Sequence, residues 1–409
     1  MGKEMSENSQ NTNQDIKIFQ SRWIVPVSKD PIENGAIVVK NEKIVDVDTI
    51  DEIREKYSQD ITDLGDAVIF PGFINAHIHL EHPDLQKIPG DYLSYQKEMH
   101  FFSRTAPNED KIKNITQNVE DTQQYGVIAI ADISSQGLST ELLLKTPLYS
   151  RIFLEIEGFK KSDAWDIFRK QQGKITSFPI KKNVTMHFGM NSLWTISPEL
   201  LRQISTNERH TALHLGVTDE ENNFFLNGKG TIKQYLHSIE DFDYSWEKPG
   251  VSPLKYFLNN HFYARHNILV HMTHISKEDI EHIKKHPIKI NICLCPRSEE
   301  NLNIGKAPLD LFQSNGLNIC LGTESKALVR NLDLRADFIH CIHRYGTAPK
   351  DALKFATLNG AYAIGFHKEV GSLDPGKTSR CLLIRGSQDE MKKPLELIAS
   401  PEKKVEWLE

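Results

Sequence analysis

Between residues 67 and 321 the chain repeats one pattern: a short apolar run rich in β-branched residues, then a segment whose apolar positions follow helical spacing. Eight such runs occur, at 67–70 leading to His79, 127–133, 152–156, 184–188, 211–215, 268–272, 288–294 and 317–321. Helical patterns at 108–125, 197–205 and 276–285 lie among the segments between them. Apolar runs without polar alternation suit strands buried on both faces, and parallel strands joined by covering helices supply that burial. Eight of them predict an α/β chain, a (β/α)8 TIM barrel over 71–365, longer than the ~250 residues typical of such barrels. The excess sits in two connections, 219–260 and 82–107, the latter dense in Tyr92, Tyr95, Phe101 and Phe102. Both leave strand ends, where barrel enzymes build their lids.

Outside the barrel the texture changes. Extended runs with turn punctuation, at 16–19, 23–27, 36–40 after Asn34-Gly35 and 44–47 after Asn41-Glu42, read as small hairpins, and similar runs return at 381–384 and 405–408. Both ends are therefore expected to build one composite β-sandwich, 16–70 with 366–409. Residues 1–15, polar and lacking the apolar run of a signal peptide, read as a disordered tail.

The 49 basic and 55 acidic residues leave a net charge of −6, so no basic footprint for nucleic acid exists. No run of about 18 apolar residues is present to span a membrane. The five cysteines, Cys293, Cys295, Cys320, Cys341 and Cys381, are odd in number and confined to the last third, which points to reduced thiols in a cytoplasm rather than a disulfide framework. The expected partner is a small-molecule substrate, with a homo-oligomer left open.

The most informative segment is Pro71-Gly-Phe-Ile-Asn-Ala-His77-Ile-His79-Leu-Glu81. Histidines at i and i+2 on a strand point to one side of the sheet, so both imidazoles reach one ion. Position strengthens the signal, because His77 and His79 close the first barrel run, His214 the fifth, and His271 and His274 the sixth. Imidazoles thereby converge on the face where barrel enzymes do chemistry. Cys293 and Cys295, also at i and i+2, read as apolar filling of the barrel.

With His214-Leu-Gly, Glu220-Glu221, Phe225-Leu-Asn-Gly-Lys-Gly230, Ser252-Pro-Leu-Lys-Tyr256, Leu269-Val-His-Met-Thr-His274, Cys295-Pro-Arg-Ser298 and Leu321-Gly-Thr-Glu324-Ser325, these motifs run in order along nearly the whole chain. The sequence resembles the amidohydrolase superfamily, specifically its deaminase and chlorohydrolase branch, and within it the nucleoside-side members such as aminodeoxyfutalosine deaminases. The resemblance implies one divalent ion, Zn²⁺ or Fe²⁺, held by His77, His79, His214 and Glu324. It further implies hydrolysis of a carbon–nitrogen bond in a small heterocyclic or nucleoside-like substrate by metal-bound hydroxide. Glu324 would take the water's proton and His271 would polarise the tetrahedral intermediate, which makes these two the catalytic candidates. Asn191, Trp194 and Glu81 are the substrate-binding candidates. Asn191 stands where many relatives carry a substrate-facing histidine, Trp194 offers a face to a flat heterocycle, and Glu81 continues the His77/His79 side of the run.

The chain also departs from the family pattern. The motif His-x-x-Glu reads His214-Leu-Gly-Val217, so the carboxylate that protonates the ring nitrogen is absent. Gly-Thr-Asp reads Gly322-Thr-Glu324, one methylene longer, and Glu299 stands where relatives have asparagine. Asp219, Glu220 and Glu221 follow at once and offer a weak substitute acid if they swing inward, but a charge run after a strand is expected to be a solvated loop. General acid-base groups contribute ~10² to 10⁴ in rate, so the alternative is a catalytically impaired barrel, a pseudoenzyme with a binding or regulatory role.

Overall fold

Pro71 and Gly72 divide the chain's first apolar stretch between two units. The computed structural model describes residues 16–85, 90–179, 181–260 and 266–408; the expected tail at 1–15 lies outside them. One unit comprises residues up to Gly72 together with Phe366 onward, and the other is Phe73–Gly365. The run expected to be a single barrel strand is thus two strands: Ala67–Pro71 pairs antiparallel with Cys381–Arg385, and Phe73–His79 opens the barrel. Proline has no N–H with which to continue a ladder, so the chain changes sheets there.

The terminal unit is one hydrogen-bonded sheet of seven strands. Its order is Val405–Trp407, Cys381–Arg385, Ala67–Pro71, Ile16–Ile24, Ile32–Lys40 and Lys43–Thr49, with Ile61–Asp63 also on Ile16–Ile24. Successive residues of Ile32–Lys40 point to opposite faces: Ile37 and Val39 pack with Ile24, Ile69 and Leu383, whereas Ala36 and Val38 pack with Ile18 and Ile53. The expected turn at Asn41-Glu42 is present, with both φ values positive at 50° and 59°. The one expected at Asn34-Gly35 is not, since both residues lie inside Ile32–Lys40. A side chain at Gly35 would put its Cβ 2.6 Å from Ile24, so glycine serves close sheet packing there.

In the second unit the parallel strands follow chain order: Phe73–His79, Val127–Ser134, Tyr149–Glu155, Val184–Ser192, His210–Leu215, His266–His271, Lys289–Leu294 and Asn318–Leu321. The eighth continues, after Gly322 and Thr323, as Glu324–Ser325, which pairs with the first strand at Ile78 and His79 and closes the cylinder. This is the (β/α)8 barrel. The long connections are more ordered than their sequences suggested: Tyr92–Thr105 is a helix, and 219–260 carries the helices Asp219–Asn227, Thr231–Ser238 and Pro253–Asn260. Among the described residues no helix is long and apolar enough to cross a membrane.

Closure brings the eighth strand hard against the first. A Cβ at Gly322 would lie 2.7 Å from the His77 carbonyl oxygen and 3.0 Å from Cys293 Sγ, both on rigid strands. Gly322→Ala is expected to cost on the order of 1–3 kcal/mol as an overpacked substitution, read as a lower midpoint in urea unfolding with an unchanged slope.

Candidate metal centre

Local strand geometry aims the first two donors. His77 and His79 end the strand Phe73–His79, two residues apart, and both are buried. His214 lies near the end of the fifth strand, His271 ends the sixth, and Glu324 starts the closing segment of the eighth. His271 and Glu324 both hold left-handed backbone, at φ 70° and 65°. Non-glycine residues rarely adopt that region, and such strain gathers where side chains are aimed for function.

The side chains meet around the Glu324 carboxylate. Its Oε2 lies 2.6 Å from His77 Nε2, 3.2 Å from His214 Nε2 and 3.8 Å from His271 Nε2, while its Oε1 is 3.4 Å from His79 Nε2. One donor atom from each of His77, His79, His214 and Glu324 falls within 4.8 Å of the others. The His214 and His77 Nε2 atoms are only 3.0 Å apart. The His214 tautomer follows from its partner: Nδ1 is 2.7 Å from the Asn191 carbonyl oxygen, which only accepts, so Nδ1 carries the proton and Nε2 turns a lone pair toward the cluster. His79 Nε2 and His271 Nε2 are buried without a hydrogen-bond partner. Lone pairs from imidazoles converging beside a carboxylate are a donor set that suits one divalent cation of the Zn²⁺ or Fe²⁺ kind.

For His77 and His79 the electrostatics favour the neutral, ligating form. Burial pushes His77 down to about 4 and His79 well below the usual imidazole range, despite the adjoining carboxylate, so both stay neutral and able to ligate. Burial alone would raise Glu324, but His214, His77 and His79 together hold it well below the ordinary carboxylate range. His214 moves the other way: Glu324 and the Asn191 carbonyl outweigh its burial and raise it.

The surrounding residues include two that sequence reading undervalued. Glu299, noted only as a departure from asparagine, is fully buried; its Oε1 takes the Cys295 N–H at 2.9 Å and faces His271 Nδ1 at 3.4 Å, and its Oε2 accepts from Tyr345 at 2.7 Å. It thereby orients His271. Tyr95, counted only among the aromatics of a connection, hydrogen-bonds Glu324 Oε1 at 3.1 Å and Ser325 Oγ at 3.0 Å. The available signal was the spacing of Tyr92, Tyr95 and Met99, which lie on the buried face of one helix.

Other candidates fall in different places. Glu81 does not extend the His77/His79 side, because the strand ends at His79 and the alternation ends with it. Its carboxylate accepts from the Ser134 and Ser135 hydroxyls and, at 3.1 Å, from the Ser135 N–H, tying two strand ends together. Trp194 is buried, with its ring edge-on to Tyr235 at 6.1 Å, and Asn191 reaches the cluster through its main chain. Val217 packs among Tyr92, Tyr95, Leu302, Ile304 and Leu328, so an apolar cluster occupies the position where the family's ring-protonating carboxylate would be rooted. The acidic run after it is the first turn of the helix Asp219–Asn227, not a solvated loop throughout. Glu221 is buried, with Oε2 accepting the Val217 N–H at 2.9 Å, because folding back satisfies an otherwise unpaired backbone donor.

Comparison with known proteins agrees with this architecture. Residues 68–384 match the model of the Amidohydrolase family. The chain belongs to that family. It is 22% identical over 374 residues to a 5′-deoxyadenosine deaminase of Methanobrevibacter smithii, covering 86% of this chain and 79% of that one. It is 25% identical over 381 residues to a 5-methylthioadenosine/S-adenosylhomocysteine deaminase of Acetivibrio thermocellus, covering 87% and 82%. Among solved structures, the aminofutalosine deaminase of Helicobacter pylori in complex with methylthio-coformycin superposes with a TM-score of 0.84 at 17% identity, over 95% of this chain and 97% of that one. An adenosine deaminase from Xanthomonas campestris with bound zinc gives 0.74 at 18% identity, over 93% and 88%. The two curated relatives are named as deaminases, and the solved structures share the fold.

Asp132 on the second strand accepts from the Leu80 N–H at 3.1 Å and from Ser139 Oγ at 2.5 Å, so it pins the turn just after His79. Burial pushes its carboxyl up to about 7 from 3.8. The folded state therefore holds a proton that the unfolded chain releases, and stability from this group declines as pH rises from about 4 to about 7. Asp132→Asn is expected to flatten that decline, measured as a smaller difference in thermal midpoint between pH 5 and pH 8 than in the parent.

Proposed function

We propose that the protein is a hydrolytic, deaminase-like amidohydrolase acting on a carbon–nitrogen bond of a small heterocyclic or nucleoside-like compound, with one divalent ion, Zn²⁺ or Fe²⁺, held by His77, His79, His214 and Glu324. The observation that carries it is the gathering of those four donor atoms within 4.8 Å of one another. The deaminase relatives support the reaction class. The five cysteines, all buried and free, support a reducing, cytoplasmic compartment.

Bound there, a divalent ion supplies the Lewis acidity that makes water a nucleophile at neutral pH. The chain's own groups do the rest. Asn191 fixes the His214 ring through Nδ1. Glu324, whose carboxylate lies inside the imidazole cluster, is the base that takes the attacking water's proton, and the Tyr95 hydroxyl restrains its Oε1. His271, oriented by Glu299, turns Nε2 into the same space and stabilises negative charge developing on the substrate once it is protonated.

A barrel that binds ligand without turnover is the alternative, and one observation favours it: Val217 and the tyrosines of the helix Tyr92–Thr105 form an apolar cap beside the donor set, with no carboxylate at the position of Val217. Protein loaded with Zn²⁺, Fe²⁺ or Mn²⁺ is expected to release ammonia from at least one of adenosine, 5′-deoxyadenosine and methylthioadenosine. Chelation should abolish that activity, and Glu324→Gln should lower kcat by roughly 10² to 10⁴. Absence of ammonia from the parent across this panel, with its appearance in the double variant Val217→Glu/Glu324→Asp, would establish the alternative.

A further inference from the structure

Two cavities of about 220 Å³ each lie along the helix Tyr92–Thr105 and share His100, Arg104, Glu157 and Asn191 in their walls. The inner one starts beside the donor set. His82, in its wall, stacks on the His79 ring with centroids 4.4 Å apart, and Asn191 carries the carbonyl that orients His214. A substrate ring at the ion would therefore send any substituent on this side into the cavities.

The walls are rich in acceptors and poor in cations. Glu155 and Glu157 come from the end of the third strand, and Glu240 and Asp241 follow the helix Thr231–Ser238. Opposing them are one guanidinium, Arg104, and His100, whose Nδ1 is 3.6 Å from Glu157. In the inner cavity Glu155 Oε1, Gln171 Oε1 and Asn191 Oδ1 are all buried without a hydrogen-bond partner. The Gln171 amide nitrogen donates to the Glu155 carbonyl at 2.9 Å, leaving its oxygen as the free atom. Burial, with neighbouring Glu157, pushes the Glu155 carboxyl well above the ordinary range and so disfavours its ionised form, a cost that an arriving ammonium offsets and an arriving anion adds to. A buried acceptor without a donor costs stability that a ligand's N–H groups recover, whereas a carboxylate or phosphate arriving here would meet lone pairs and like charge.

We infer that this pair of cavities is a specificity pocket for a cationic, amine-bearing arm of the substrate, with Glu155 and Glu157 as the groups that select for positive charge. The inference rests on the deaminase reading of the adjoining site. Calorimetric titration of zinc-loaded protein with 5′-amino-5′-deoxyadenosine, adenosine and adenosine-5′-carboxylate tests it. The amine is expected to bind at least about tenfold tighter than the carboxylate, with adenosine between them, as charge complementarity requires. Glu155→Gln and Glu157→Gln should each shrink the amine preference while leaving the affinity for adenosine within about threefold. Equal or tighter binding of the carboxylate, an amine preference unchanged in both variants, or no binding of any of the three would overturn the inference. Ammonia release from adenosine by the same preparations judges the chemistry separately: an amine preference without ammonia removes only the deaminase reading, and ammonia without an amine preference removes only the pocket.

Discussion

The contact between His77 and Glu324 joins the first strand of the barrel to the last, and the rest of the centre is arranged around it. A carboxylate removed from water is costly unless groups of opposite or complementary polarity surround it. Here that surrounding is four imidazoles from three strands and a tyrosine hydroxyl from a helix, with Glu324 fully buried. Only a closed barrel brings those strands to one rim. The left-handed backbone at His271 and Glu324 accompanies this convergence, with His271 paired to Leu215 and Glu324 to Ile78 in the parallel ladders.

Around the cluster lies a ring of orienting contacts, and its chemistry decides what the donors can do. The Asn191 carbonyl sets the His214 tautomer, Glu299 faces His271, and Tyr95 restrains the second oxygen of Glu324. On one side the ring is apolar, where Val217 joins the lid tyrosines. On another it opens toward buried acceptors at Glu155 and Asn191. The centre thus gathers donors that suit a divalent ion, while no carboxylate stands at the residue after His214-Leu-Gly. That asymmetry sets this chain apart from the family pattern it otherwise follows.

Much of this was legible in the chain itself. Seven of the eight apolar runs located their barrel strands to within a few residues, because fully buried parallel strands cannot alternate polar side chains. The spacing of His77 and His79 placed both on one side of a strand for the same steric reason that alternates side chains along any strand. The loss of the His-x-x-Glu carboxylate at Val217 was equally plain. What was misread lay at boundaries and in connections: the run at 67–79 that splits at Pro71-Gly72, the Asn34-Gly35 pair absorbed into a strand, and the acidic run whose Glu221 folds inward. In each case the deciding term is non-local. Ile24 packs against Gly35, Cys381–Arg385 pairs with Ala67–Pro71, and the unpaired Val217 amide draws in Glu221.

By itself, then, the amino-acid order determined the repeating strand–helix texture, the placing of histidines at strand ends and the absence of a carboxylate at Val217, since these depend on residue type and short-range spacing. Tertiary structure alone decided that Glu324 sits within hydrogen-bonding distance of His77, that Tyr95 and Glu299 orient the centre, that Glu81 is turned away onto Ser134 and Ser135, and that unpaired acceptors gather beside His82. The physical reason is distance along the chain: these contacts join segments up to 247 residues apart, such as His77 and Glu324, and only the closing of the barrel brings them together.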